Sequence, residues 1–130
     1  YNVEDYLRRG LDSILLQPSS ITYEILLIND GSSDKSGAIC DEYQSNFSNV
    51  FVSHIENNGV AEARNLGISL SKGNYLYFMD PDDFLSDNFF EKISSNLKQK
   101  WDVLCFGYNE IKENRVAIHE KCREYWQINR

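Results

Sequence analysis

Glu24 to Asp34 reads EILLINDGSSD, and the fold class follows from how that stretch divides. Glu24 to Asn29 is a short apolar run bounded by turn residues, which predicts a buried strand. It stops at Asp30-Gly31-Ser32-Ser33-Asp34, turn chemistry that leads into a helix carrying Ala38, Ile39, Tyr43 and Phe47. Upstream, Val3, Tyr6, Leu7, Leu11, Ile14 and Leu15 keep the helical period, with Asn2 as the expected cap, Asp5 as its box partner and Gln17-Pro18 as the stop. Downstream, Val50 to Ile55 predicts a second strand ended by Asn57-Asn58-Gly59, and Val60 to Leu70 a helix closed by Lys72-Gly73. Tyr75 to Met79 predicts a third strand, ending abruptly in Asp80-Pro81-Asp82-Asp83. A helix with Phe90, Ile93 and Leu97 and a fourth strand, Val103 to Tyr108, complete the alternation. After Glu110 the pattern weakens, with a helical reading near Cys122 to Ile128. Helices alternating with apolar strands predict right-handed crossovers and a mostly parallel sheet in a single α/β domain.

The chain has 130 residues, enough for one domain with a core and too few for two. Thirteen Lys and Arg against 20 Asp and Glu leave a net charge of -7, which argues against a nucleic-acid binder that needs a basic face. A nucleotide held with the help of a metal ion is compatible with that charge. The apolar runs are far too short to span a bilayer. Cys40, Cys105 and Cys122 are widely spaced with no CxxC, so three reduced thiols in a cytosolic protein are expected, and His54 and His119 fall at no zinc-ligand spacing from them. Met79 is the single methionine, so Tyr1 is not a translation start and the chain is expected to be a piece of a longer one.

In open α/β sheets, ligands bind outside the carboxyl ends of the strands. Three successive strands deliver Asp30-Gly31-Ser32, Asn57-Asn58-Gly59 and Asp80-Pro81-Asp82-Asp83 to one such edge. Three carboxylates within four residues repel unless a cation sits between them, and hard divalent ions take one or two carboxylates plus substrate phosphates. The blander reading of that segment is a solvated turn whose aspartates cap the next helix. Asp30 reads either as ordinary Asp-Gly turn chemistry or as an acceptor for a base or ribose. Arg64 reads either as a solvated helical arginine or as the cation that meets a diphosphate or the acidic cluster. Tyr1 is either a loose terminus or an aromatic face for a base. There is no GxGxxG, P-loop or GxSxG elbow, which disfavours dinucleotide-binding and P-loop sites and hydrolase triads.

Together, the strings YNVEDYLRRGLDSILLQ, YEILLINDGSSDKS, NNGVAEARNLGISLSKGNYLYFMDPDD and VLCFGY resemble family 2 glycosyltransferases over Tyr1 to Tyr108. The resemblance implies a Rossmann-like GT-A nucleotide-diphospho-sugar transferase fold, incomplete here because the family's first strand and acceptor half are not in the sequence. Residues 1–108 would be the donor-binding part and 109–130 the start of the acceptor side. Loss of a strand from inside the sheet is expected to expose apolar surface and unpaired backbone.

By the same resemblance, Tyr1 packs on the nucleotide base, and Asp30 hydrogen-bonds it, with Asn29 as a variant of the preceding family aspartate. Asn58, Gly59 and Arg64 lie near base and diphosphate. Asp80 faces ribose or metal, Asp82 is a metal ligand, and Asp83 is the acid that usually follows. The implied cofactor is Mn²⁺ or Mg²⁺. The implied reaction is inverting transfer of a sugar, of the hexosyltransferase type, from a nucleotide-diphospho-sugar (a UDP-sugar) to a saccharide or lipid-linked saccharide acceptor. Bacterial surface polysaccharide synthesis in the cytoplasm, or at the inner face of the cell membrane, is the expected setting. The catalytic base is expected beyond Arg130, so the fragment itself is expected to be inactive. The competing expectations are a non-catalytic nucleotide-binding remnant and a sugar nucleotidyltransferase.

Overall fold

A computed structural model of the chain describes residues 1–99, 101–105, 107–112, 115–118 and 125–126. It divides into two compact units, Tyr1–Phe89 and Phe90–Arg130. The first contains α1 (Glu4–Leu15), β1 (Ile25–Asp30), α2 (Ser36–Asn46), β2 (Val50–Ile55) and α3 (Val60–Leu70), and α4 (Phe89–Leu97) begins at its boundary. The second contains β3 (Val103–Leu104), β4 (Asn109–Lys112), β5 (Arg115–Ile118) and β6 (Tyr125–Trp126).

β1 and β2 pair in parallel from Ile25↔Val50 to Asp30↔Ile55, joined by the α2 crossover. One face of this pair makes the core. Leu7 and Leu11 of α1 meet Ile39, Cys40 and Tyr43 of α2 over Val50, with Ile25, Leu27 and Val52 packed against them. The four-residue spacing of Val3, Leu7, Leu11 and Leu15 puts one stripe of α1 on that core. The opposite face, with Leu26, Ile28, Phe51 and Ser53, opens into a shallow groove beside Leu70 and Lys72. Cys40 is a free buried thiol whose pKa is pushed up to about 11 by burial and then by Asp41. Cys122 lies outside the described residues.

Several expectations change. Asn2 and Asp5 do not form a capping box: Val3 is the N-cap of α1 and makes no side-chain cap bond. The open N–H groups go instead to the turn before α2. Val3 donates to Ser36 Oγ at 2.9 Å and Glu4 to Asp34 Oδ2 at 3.1 Å, while Lys35 N–H donates back to Glu4 Oε2 at 2.7 Å. A partner thirty residues away displaces the local one because one clamp satisfies the ends of two helices.

Tyr75–Met79 is not a strand. Among the described residues the sheet holding β1 and β2 has two members, and Tyr75–Met79 pairs with neither, so this apolar run stays irregular. Leu76 (47% exposed) and Phe78 (46%) are left about half exposed. The fourth strand is two residues long because β3 pairs with β6 only at Val103↔Trp126 and Leu104↔Tyr125. That pair and β4–β5 are antiparallel. Of the helix expected over Cys122 to Ile128, Tyr125–Trp126 is strand and the rest lies outside the described residues.

Candidate functional site

The carboxyl ends of β1 and β2 lie side by side, because Asp30 is opposite Ile55. Asp30 is 6% exposed, and its carboxylate closes the gap between the two loops. Oδ1 accepts the Asn58 N–H at 2.8 Å and Oδ2 the Gly59 N–H at 2.9 Å. The approach is tight enough to require glycine at position 31. Gly31 has φ +67°, and a Cβ there would stand 2.8 Å from the Asn57 nitrogen. Gly59, at φ +90°, has open space around it, so its backbone angle and not crowding selects glycine. The Asn58 side chain donates to Glu56 O at 3.0 Å, which folds the loop on itself. A carboxylate offers about four acceptor sites, so Asp30 can hold both N–H groups and still accept from a ligand.

Tyr1 is 58% exposed. Its neighbour Asn2 donates its backbone N–H to Ser32 Oγ at 3.1 Å and accepts the Ser33 N–H on Oδ1 at 2.9 Å. The ring is thereby tethered one residue from the turn that follows β1.

The acidic segment is a closed turn, with Asp83 N–H donating to Asp80 O at 3.0 Å and Pro81 at the position where proline pre-sets φ. Its aspartates do not start the next helix, since α4 begins at Phe89. This removes the helix-capping reading of the acidic segment. Arg64, on α3, places Nη2 3.0 Å from Asp80 Oδ1, with its guanidinium 5.8 Å from the Phe78 ring centre. Asp82 and Asp83 are exposed and form no ion pair among the described residues. The Tyr77 hydroxyl is held above its ordinary pKa by burial first, then by the charges of Asp83 and Asp80. Asp30 with Asn58 and Gly59, and Arg64 with Asp80, are therefore brought together in pairs. No described contact joins Tyr1 to either pair.

Sequence reasoning missed the residues of α1 that carry the acidic turn. A Cβ on buried Gly10 would come within 3.1 Å of Asp83 O and 3.3 Å of Pro81 O, so a side chain there would press the turn back by a few tenths of an ångström. Ser13 Oγ accepts the Leu85 N–H at 2.9 Å, and Gln17 Oε1 the Phe89 N–H at 3.0 Å. Arg9 lies over the Phe84 ring at 3.7 Å. A glycine inside a helical pattern was the available signal.

Among the described residues, no three or more His, Cys, Asp or Glu side chains converge to hold a metal by themselves. Two adjacent exposed carboxylates and a third paired with arginine offer oxygen donors of the kind a hard divalent ion takes when phosphate oxygens complete its shell. The residues fit an ion held in that shared way.

The model of glycosyl transferase family 2 matches residues 1–129. The chain belongs to glycosyl transferase family 2. It is 35% identical over 120 residues to the uncharacterized glycosyltransferase EpsJ of Bacillus subtilis (strain 168), a match covering 91% of this chain and 35% of EpsJ. It is 36% identical over 120 residues to the glycosyltransferase GlyA of Streptococcus pneumoniae serotype 4, over 92% of this chain and 17% of GlyA. It is 40% identical over 95 residues to the minor teichoic acid biosynthesis protein GgaB of Bacillus subtilis, over 72% of this chain and 11% of GgaB. The chain thus spans about a third or less of the lengths of these relatives. The α/β class with parallel β1 and β2 agrees with a family 2 domain. No described helix is long and apolar enough to cross a membrane.

Proposed function

We propose that this chain is the donor-binding part of a glycosyltransferase that moves a sugar from a nucleotide-diphospho-sugar, a UDP-sugar, to an acceptor hydroxyl with inversion. The observation that supports this most is the Arg64–Asp80 contact, which joins a helix cation to an acidic turn sixteen residues away and leaves Asp82 open beside it. A diphosphate and a divalent cation would divide between such groups. Arg64 would exchange Asp80 for phosphate oxygens, while Asp82, with Asp80, would hold Mn²⁺ or Mg²⁺. Asp30 would keep its loop clamp and accept a hydrogen bond from the base, against which the Tyr1 ring would stack. Asn58 and Gly59 would border the base and diphosphate. When bound, the cation supplies Lewis-acid stabilisation of the charge that grows on the leaving diphosphate.

The acceptor would be a saccharide or lipid-linked saccharide of a bacterial surface polymer, met in the cytoplasm or at the inner face of the membrane. The word teichoic acid in the name of GgaB is in keeping with this. A carboxylate outside the residues named here would take the acceptor's proton.

Ligand-observed NMR with UDP, GDP and ADP tests the reading. UDP should give the strongest saturation transfer, and Arg64→Ala should weaken it. Equal or absent signals from all three nucleotides with folded protein would overturn it.

A further inference from the structure

His54 lies on β2 opposite Asn29, beside the turn that carries Asp30. Its Nδ1 is 2.9 Å from Asn29 Nδ2, and its Nε2 is 3.0 Å from Asp41 Oδ1 on α2. The other end of the Asn29 amide is committed, because Oδ1 accepts the Ser32 N–H at 3.2 Å. A backbone N–H can only donate, so Oδ1 must face Ser32 and the amide NH₂ must face His54. The imidazole nitrogen opposite that NH₂ must then accept, which puts the ring proton on Nε2, pointed at the Asp41 carboxylate. Gly37 makes room for the arrangement: a Cβ there would stand 3.1 Å from Asn29 Nδ2 and 3.8 Å from His54 Nδ1.

We propose that His54 is a positioning residue, whose neutral ring holds the Asn29 amide in the orientation that clamps the Asp30–Ser32 turn, and whose protonation releases that clamp. A proton taken from solvent onto Nδ1 confronts the Asn29 NH₂, donor against donor. Turning the amide over would satisfy the ring but set NH₂ against the Ser32 N–H. The charge-assisted bond from the imidazolium to Oδ1 is the stronger of the two, so the amide turns over and the Ser32 N–H loses its acceptor. The groups facing the ring are Asp41 and the Gly37 backbone from α2 and Asn29 from β1. Of these, Asp41 is the charged group, with Oδ1 3.0 Å from Nε2. Asp30, next along β1, is turned toward Asn58 and Gly59. The hydrogen-bond chain stands independently of the proposed function, and its consequence for nucleotide binding rests on it.

The test is nitrogen-15 NMR of the protein across the His54 titration, with UDP affinity measured in parallel. At high pH the ring should be the Nε2–H tautomer. On protonation the Ser32 amide protection factor should fall about three- to tenfold, the scale of one hydrogen bond. UDP affinity should fall by a similar factor, and both changes should vanish in His54→Gln. An Nδ1–H tautomer, or a Ser32 protection factor indifferent to the ring's charge, would overturn the proposal. Failure to bind UDP at every pH would count against the nucleotide reading, and the Ser32 measurement would still decide the role of His54.

Discussion

Asp30 Oδ2 accepts the backbone N–H of Gly59 at 2.9 Å, and through that bond the end of β1 holds the loop that starts α3. The second oxygen does the same for Asn58. Replacing the carboxylate by an amide turns one acceptor into a donor facing an N–H. Asp30→Asn should therefore cost about 1–3 kcal/mol of stability, the penalty for one unmade buried hydrogen bond. Urea unfolding measures it, and a loss below a few tenths would mean that the loop is held by something else.

Gly31→Ala should be harmful for a different reason. The alanine would have to keep φ near +67° with its Cβ 2.8 Å from a backbone nitrogen, and neither the angle nor the nitrogen can yield cheaply. A destabilisation of about 1–3 kcal/mol is expected. Thermal melting of the variant beside Gly59→Ala, which strains φ without crowding, separates the two contributions.

Arg64→Ala should hardly change stability, because both partners of its ion pair are about half exposed and such pairs contribute under about 1 kcal/mol. It should lower nucleoside-diphosphate affinity about tenfold or more, the scale of a lost charge-assisted phosphate contact. Calorimetry and a melting curve on one sample read both. Equal losses in the two would make Arg64 a structural residue.

The clamp between α1 and α2 should fail in acid. Burial raises the Asp34 carboxyl, but hydrogen bonds from Ser36 and Glu4 outweigh it and leave its pKa below the usual 3.8. The Glu42 carboxyl is held below 4.5 by its bonds to Arg8, against a smaller effect of burial. Groups with lowered folded pKa values stabilise above their unfolded pKa values and lose that contribution as pH falls through the folded ones. Melting temperature should therefore be sustained above about pH 5 and fall below about pH 4. In Asp34→Asn the fall should be shallower. An identical acid slope in wild type and variant would remove Asp34 from the account.

Much of this was legible because it depends on local pattern. β1 and β2 are short apolar runs with turn residues after them, and α3 starts after a glycine and stops before Lys72. What escaped depended on partners distant in sequence. Asn2 and Asp5 looked like a cap and its box partner, yet the helix end took Asp34 and Ser36. Tyr75–Met79 has the composition of a strand and lacks a neighbour to pair with, a condition no local pattern can supply. The acidic turn and Asp30 were visible as chemistry, and one of the two readings of Arg64 had it meeting the acidic cluster, where it contacts Asp80. Gly10 went unread inside its helical pattern, and its purpose appears only once the turn lies against it.

The donor site itself is tested most directly by calorimetric titration of UDP into the protein with Mn²⁺ and with a chelator, beside Asp82→Asn. Binding that requires the metal and is lost in the variant is the predicted result. Binding indifferent to both metal and variant, or none in a chain shown to be folded, would contradict the account.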